Sequence, residues 1–302
     1  MEVTLSQLRA FAAVADTLHF GRAAERLGIA QPTISKEIGR LERSLGVPLF
    51  VRSAGGTTLT PAGERLRPTA SEVLERLRSF ESAAAVVQRE SSGSVTIAAS
   101  PSIVNHLLPE TLRAIDDQEW GSDVRPLEVE TGDVLAAVES GRADLGIGHL
   151  IGDPTRAVKR RLGLDQVRLV VHRSIVPAGA ALDLGRLANV PLLMWPRERN
   201  PRYYDHLLET CRQRGLEPLV LTGTSRISGS WRYFLEDARA FTLVPRDAAE
   251  QERWPGVAVH PLDPPAYLPL EVAWTKGASS DVKRVLAVVA ELTRDRRGPA
   301  RA

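Results

Sequence analysis

Apolar residues return every three or four positions at the start of the chain. Leu5, Leu8, Phe11, Ala12 and Ala15 mark one face of a helix. Phe20 opens a short second helix in which Ala23, Ala24 and Leu27 share a face, and Gly28 suits the left-handed position that closes a helix. A third helix starts near Pro32, where a first helical residue has no use for an N–H. It carries Ile34, Ile38, Leu41 and Leu45 on one stripe until Gly46 ends it. Residues 49–52 then read as a strand, Ala54-Gly55-Gly56 as a turn and 57–59 as the returning strand. Thr60 can cap a helix beginning at Pro61. Along it Leu66, Val73, Leu77, Phe80, Ala84 and Val87 alternate in the steps of a heptad seam, which would pair two copies of the chain. The same stripe could also pack on its own chain. Pro68 removes a helical hydrogen bond and predicts a kink near the helix start.

Beyond the hinge Ser91-Ser92-Gly93 the pattern changes to strands alternating with helices. Strands are expected at 95–99, 124–129, 143–147, 167–171, 191–194, 219–222, 241–244 and 270–274, and helices at 103–118, 133–140, 202–214, 228–237 and 280–294. Such alternation predicts parallel sheets with covered faces. Two series of this kind predict two lobes, with a ligand beyond the carboxyl ends of the strands.

Composition narrows the function classes. At 302 residues, 43% hydrophobic and 25% charged with a formal net charge of +2, the chain has material for about two packed domains. It is neither a disordered segment nor a general polycation, so any nucleic-acid surface has to be local. The single cysteine, Cys211, excludes an intramolecular disulfide and a cysteine-built zinc site. His19, His106, His149, His172, His206 and His260 lack metal-ligand spacing, so no metal is expected. The first thirty residues lack the basic start and apolar core of a leader, and no run is apolar enough to span a membrane, so a cytoplasmic protein without membrane partners is expected. Gly146-Ile147-Gly148 with Gly152 lacks the dinucleotide fingerprint spacing, and no nucleophile elbow, carboxylate pair or phosphate loop is present. Neither an enzyme nor a cofactor is expected.

The polar face of the third helix carries chemistry. Lys36, Arg40 and Arg43 form one basic ridge, with Thr33 and Ser35 near the helix start. Two helices joined by a tight turn, the second so furnished, have helix-turn-helix geometry, in which early side chains reach base edges and the ridge meets phosphates. The hairpin that follows would be a wing, with Arg52 as its phosphate contact. The bland alternative is a solvated amphipathic helix whose charge Glu37 and Glu42 offset.

Leu8-Arg9-Ala10-Phe11, Phe20-Gly21-Arg22-Ala23-Ala24, Gln31-Pro32-Thr33-Ile34-Ser35-Lys36-Glu37-Ile38, Leu41-Glu42-Arg43-Ser44-Leu45-Gly46, Leu49-Phe50-Val51-Arg52 and Leu59-Thr60-Pro61-Ala62-Gly63 follow one another in fixed order. This run resembles the winged-helix signature of LysR-type transcriptional regulators. The wing tip is poorer in basic residues than in many relatives, and Thr33 stands where serine is common. The resemblance implies a multidomain α+β chain: a winged helix-turn-helix over 1–60, a linker and dimerisation helix with hinge over 61–92, and a two-lobed α/β regulatory domain over 93–302 resembling periplasmic solute-binding proteins. Lobe I would be 93–165 plus 267–302, and lobe II 166–266. DNA contacts are expected from Arg22, Gln31, Pro32, Thr33, Ser35, Lys36, Arg40, Arg43 and Arg52.

The implied partners are double-stranded promoter DNA, further copies of the chain as dimer or tetramer, and a small acidic effector in the inter-lobe cleft. Ser100 and Ser102 flank the start of the helix after the first lobe I strand, where a helix dipole favours an anion, and Thr131 ends the next strand. In lobe II Trp195-Pro196-Arg197-Glu198-Arg199-Asn200 looks like the cleft segment of family members that sense aromatic acids and their ring-cleavage products. There Arg197 could clamp a carboxylate of an aromatic or dicarboxylic acid, and Asn200 could cap helix 202–214. Arg226 is a further candidate contact. Ordinary loop or cap roles remain open for each of these. Relatives often have a glycine-rich turn where this chain has Glu236-Asp237-Ala238-Arg239-Ala240-Phe241. A small-molecule binding protein without DNA function is the alternative from another class.

Overall fold

The computed structural model describes residues 2–53, 56–117, 123–179, 184–223, 230–251 and 254–294. The chain forms two compact units, Met1–Glu81 and Ser82–Ala302. In the first, α1 (Leu5–Thr17), α2 (Phe20–Leu27) and α3 (Gln31–Leu45) precede the hairpin β1 (Phe50–Ser53) and β2 (Gly56–Leu59) and the greater part of the long helix α4 (Pro61–Ser92), whose residues from Ser82 belong to the second. Phe11, Val14, Ala23, Ile34, Ile38, Leu41 and Leu49 make its core. The buried stripe of α1 keeps Phe11 and Ala15 of the expected one but is turned toward Gln7, Ala10 and Val14, whereas Leu5 is 42% exposed. Gln7 tolerates burial because Thr4 and Gln7 form a reciprocal capping box at the helix start.

Thr60 caps α4 by accepting the Gly63 N–H, while its own hydroxyl donates to the Pro48 carbonyl at 2.7 Å. The helix continues through Pro68, where the sequence predicted a kink. Two stripes run along α4. Ala70 and Leu74 are buried, whereas Val73, Phe80, Ala84 and Val87 of the expected seam are exposed in the single chain.

The second unit is built on one mixed sheet. Its strands are β3 (Ser94–Ala99), β4 (Asp123–Glu128), β5 (Leu145–His149), β6 (Ala157–His172), β7 (Leu192–Met194), β8 (Val220–Thr222), β9 (Phe241–Pro245), β10 (Val257–Pro261) and β11 (Tyr267–Thr275). They lie in the order β4-β3-β5-β11-β6-β9-β7-β8, with β10 also paired to β6. The expected parallel pairs are present (β4, β3 and β5; β9, β7 and β8), but β6 and β11 run antiparallel to their neighbours. Both enter from loops, without the crossover helix a parallel return requires. Of β6, the sequence pattern marked only 167–171. Its first half carries Lys159, Arg160 and Arg161, which hide a strand from an apolar pattern. Opposite Leu270 and Glu271 the register jumps from Gly163 to Arg161, so Leu162 is bulged out of the ladder.

The helices of this unit are α5 (Pro101–Val104), α6 (Leu107–Asp116), α7 (Val134–Glu139), α8 (Pro201–Arg212), α9 (Ser230–Glu236), α10 (Arg246–Gln251) and α11 (Ser280–Leu292). The single helix expected over 103–118 is broken at His106, whose φ of −132° and ψ of −82° are not helical. Separate cores lie along the sheet. Ile97, Ile147 and Val272 pack with Leu108 of α6 and Val285 of α11. Val134 and Val138 of α7 instead cover Ala98 and Ala273. A third core, around β6, β7 and β9, gathers Leu169, Leu193, Leu207, Trp231 and Phe241. Gly146, part of the glycine cluster without fingerprint spacing, serves packing: a Cβ there would stand 2.7 Å from a Val134 methyl of α7.

Candidate DNA-reading face and effector cavity

The orientation of α3 follows from its buried stripe. Ile34, Ile38 and Leu41 are each 2% exposed or less, and burying each such side chain stabilises by about 1.5–3 kcal/mol, which holds the opposite face outward. On that face Gln31, Pro32, Thr33, Lys36, Arg40 and Arg43 are exposed, and Ser35 is half-buried. The helix before it is fixed by His19, whose Nδ1 accepts from the N–H groups of Gly21 and Arg22. Arg22 itself is exposed and donates to the Thr17 carbonyl at 3.0 Å.

Of the two acids that could cancel the ridge, one is engaged elsewhere and the other meets a single ridge cation. Glu42 Oε1 accepts from the N–H groups of Leu49 (2.8 Å) and Phe50 (3.2 Å), so this carboxylate anchors the start of the hairpin. Glu37 pairs with Arg40 at 2.9 Å. Lys36 and Arg43 have no acidic partner among the described residues. The bland reading of the helix therefore holds for Arg40 and fails for the other two cations. Arg52 lies on the face of Phe20, 3.7 Å from the ring centroid, with Nη2 3.5 Å from Ser35 Oγ. It thus joins the hairpin to the start of α3, a link that sequence spacing did not reveal. The hairpin tip, residues 54–55, lies outside the described residues.

In the second unit a cavity of about 290 Å³ opens between the α5–α6 break and the β6–β9 face. Pro101, Ser102, Asn105 and His106 line one side, and Val170, Thr242, Val244, Ala248, Ala249 and Trp254 the other. The Thr242 hydroxyl donates to the Leu193 carbonyl at 3.1 Å, and Ser102, Asn105 and His106 are the polar residues of the facing wall. Among the described residues no arginine or lysine lines this cavity.

Of the effector contacts expected from sequence, Ser102 lines the cavity. Ser100 lies one step back, its Oγ 3.4 Å from Ser102 Oγ. Arg197 does not line this cavity: Asp205 binds it through two hydrogen bonds of 2.8 and 2.6 Å on an exposed surface, and these raise the guanidinium pKa. Asn200 is buried and caps α8 by accepting the Tyr203 N–H at 3.1 Å, as expected, while its amide points at the Thr131 and Leu150 carbonyls. These contacts occupy the Arg197 guanidinium and the Asn200 amide, while Thr131 takes part through its backbone carbonyl alone. Arg226 lies outside the described residues. Sequence reasoning missed Thr242 and Trp254, since no motif marks residues that a sheet brings together. Cys211 is buried, and burial pushes its thiol pKa up to about 12, so it is not a reactive group.

Comparison with known proteins settles the family. Residues 5–64 match the bacterial regulatory helix-turn-helix protein, lysR family, and residues 88–294 match the LysR substrate binding domain. The chain belongs to the LysR-type transcriptional regulators. It is 32% identical to the HTH-type transcriptional regulator IlvR of Caulobacter vibrioides over 70% of this chain and 72% of that one. It is 30% identical to a probable hydrogen peroxide-inducible genes activator of Streptomyces viridosporus, over 82% of this chain and 80% of that one. The crystal structure of full-length CbnR complexed with its target DNA has the same fold, with a TM-score of 0.54 at 23% identity over 97% of this chain and 100% of that one. This LysR-type regulator therefore combines a DNA-binding helix-turn-helix with a C-terminal effector-binding domain, and its homologues are regulators rather than enzymes. No helix of the described residues is long and apolar enough to cross a membrane.

Proposed function

We propose that the regulator reads promoter DNA through the exposed face of α3. Thr33, Ser35 and the start of the helix meet base edges, and Lys36, Arg43 and Arg52 meet phosphates. The observation that carries this reading is the exposed Lys36–Arg43 face, whose neighbouring acids are spent on Arg40 and on the hairpin backbone. The exposed Val73–Phe80 stripe of α4 supports pairing of two copies through that helix, which would present two readers to paired half-sites. Residues 1–60, 61–92 and 93–302 act as reader, linker and effector domain. The last divides into lobe I (93–165 and 267–302) and lobe II (166–266), a division supported by the separate cores joined by β6 and β11. It works as a regulator without catalysis of its own, in the cytoplasm where its DNA is.

The effector occupies the cavity at Ser102. A polar wall of hydroxyl, amide and imidazole facing Val170, Val244 and Trp254 suits a small, largely apolar molecule with one hydrogen-bonding head. An aromatic monocarboxylic acid or its amide fits better than a dicarboxylic acid, which would need the cation that Asp205 holds elsewhere.

Fluorescence anisotropy with DNA flanking the protein's own gene, titrated with salt, tests the reader. Each lost phosphate contact lowers the salt slope by about 0.9. Lys36→Ala and Arg43→Ala should each flatten the slope by about that amount and weaken binding across sequences. Unchanged slopes in both variants would remove α3 from the DNA.

A further inference from the structure

The turn that enters α8 makes an unusual set of contacts within the second unit. Asn200 is 6% exposed, and both ends of its amide are used. Oδ1 caps α8 through the Tyr203 N–H, while Nδ2 donates to the Leu150 carbonyl at 3.2 Å and lies 3.5 Å from those of His149 and Thr131. Leu150 is held at a φ of +47°, a left-handed conformation that a leucine adopts only when its surroundings impose it. Beside it the Arg199 carbonyl sits so close to Gly132 that an added Cβ would overlap the oxygen. Further along, Arg202 binds Asp153 at 2.9 Å, and Lys159 reaches the same carboxylate at 3.1 Å. Tyr203 packs against His149, which is itself bonded to Asp165 at 2.7 Å in a buried pair.

The contacts of Arg199, Asn200, Arg202 and Tyr203 thus join the entry of α8, on the β7 side of the sheet, to residues 131–153 on the β5 side. None of these groups lines the cavity at Ser102. A helix cap needs only the Oδ1 contact, so the buried Nδ2 donor and the left-handed Leu150 have no role in capping.

We propose that Arg199–Asn200 is a latch between the two lobes, and that Asn200 is a positioning residue for the effector response. Its amide holds the lobes in the arrangement seen here, and moving them apart requires that hydrogen bond to break. Gly132 is the seat of the latch, open to the Arg199 carbonyl because it has no side chain. The proposal rests on the two-lobe reading, and its test separates the two.

Asn200→Asp isolates the latch from the cap. Aspartate caps a helix as well as asparagine does, but it turns the donor into an acceptor facing carbonyl oxygens. Gly132→Ala drives a Cβ into the seat by sterics alone. Spin labels on Lys283→Cys and Arg186→Cys, both at exposed positions, report the distance between the lobes in the full chain by pulsed electron resonance. The expected result is a longer-distance population enlarged about tenfold in Asn200→Asp, the ratio that follows from loss of one hydrogen bond, with unchanged far-ultraviolet circular dichroism. Gly132→Ala should populate the same distance. If Gly132→Ala opens the lobes and Asn200→Asp does not, the latch is overturned and the two lobes stand. If both variants fold and neither changes the distribution, the latch and the two-lobe reading fall together. If Gly132→Ala does not fold, Asn200→Asp alone decides the latch.

Discussion

Glu42 offers a test in which two readings of one residue predict opposite signs. As a charge that offsets the basic ridge, its removal would tighten DNA binding. As an anchor, its carboxylate oxygen accepts the Leu49 and Phe50 N–H groups at 2.8 and 3.2 Å and holds the start of the hairpin to α3. Hydrogen bonds to a charged group contribute about 1.5–3 kcal/mol each, and the shared oxygen and partial exposure place the pair toward the low end, about 2–3 kcal/mol together. Glu42→Ala should therefore weaken protection of the Leu49 and Phe50 amides by roughly thirty- to a hundredfold and weaken DNA binding. Glu42→Gln, which keeps a neutral acceptor, should fall between. The assay must be hydrogen exchange resolved to these amides, because every tryptophan (Trp120, Trp195, Trp231, Trp254 and Trp274) lies in the second unit and its fluorescence is blind to the first. Unchanged exchange together with tighter DNA binding in Glu42→Ala would refute the anchor and restore the charge-offset reading.

Two further outcomes follow from local geometry. Ala238 stands at a φ of +57°, and the left-handed region costs a non-glycine residue about 1–2 kcal/mol. After the larger unfolded-state entropy of glycine is subtracted, Ala238→Gly should stabilise the second unit by roughly 0.5–1 kcal/mol, read as a higher urea midpoint by tryptophan fluorescence; a lower midpoint would contradict it. Burial raises the Glu139 pKa, but the N–H groups of Arg156, Thr155 and Ala157 and the Thr155 hydroxyl outweigh it, so the net shift is downward. A depressed carboxyl contributes stability that is full above its unfolded value of 4.5 and is lost as pH falls through the folded value. Glu139→Gln should thus lower the melting temperature at neutral pH and make it less sensitive to acid below that point, which a series of melting curves checks.

The reader was legible because its chemistry and its packing share one short periodic segment. Ile34, Ile38 and Leu41 point inward at helical spacing, so Lys36 and Arg43 must point outward, and the structure agrees. What stayed hidden depended on contacts between distant residues. Glu42 looks like a surface acid until the hairpin amides arrive, and Arg52 looks like a wing cation until Phe20 lies beneath it. The effector cavity was the least legible part. Its walls come from segments far apart in sequence, and the residue with the most obvious chemistry, Arg197, is claimed by Asp205 of α8. The break at His106 within the expected helix 103–118 leaves no mark in the apolar pattern, since Val104 and Leu107 keep helical spacing across it. The break matters for function, since it places Asn105 and His106 in the cavity wall.

The extra residue at Leu162 has a bearing on which length changes this gene can accept. Side chains on a strand alternate between faces, so removing one residue from the regular run between the bulge and Val167 would turn Val167, Leu169 and Val171 from the interior to the opposite side of β6. Loss of Leu162 itself would instead take out the bulge and leave a ladder without the irregularity. A single-codon deletion is thus tolerated or ruinous according to whether it falls at that bulge or in the regular run beyond it, whereas a comparable loss in the exposed turn at 177–179 would not alter strand parity at all.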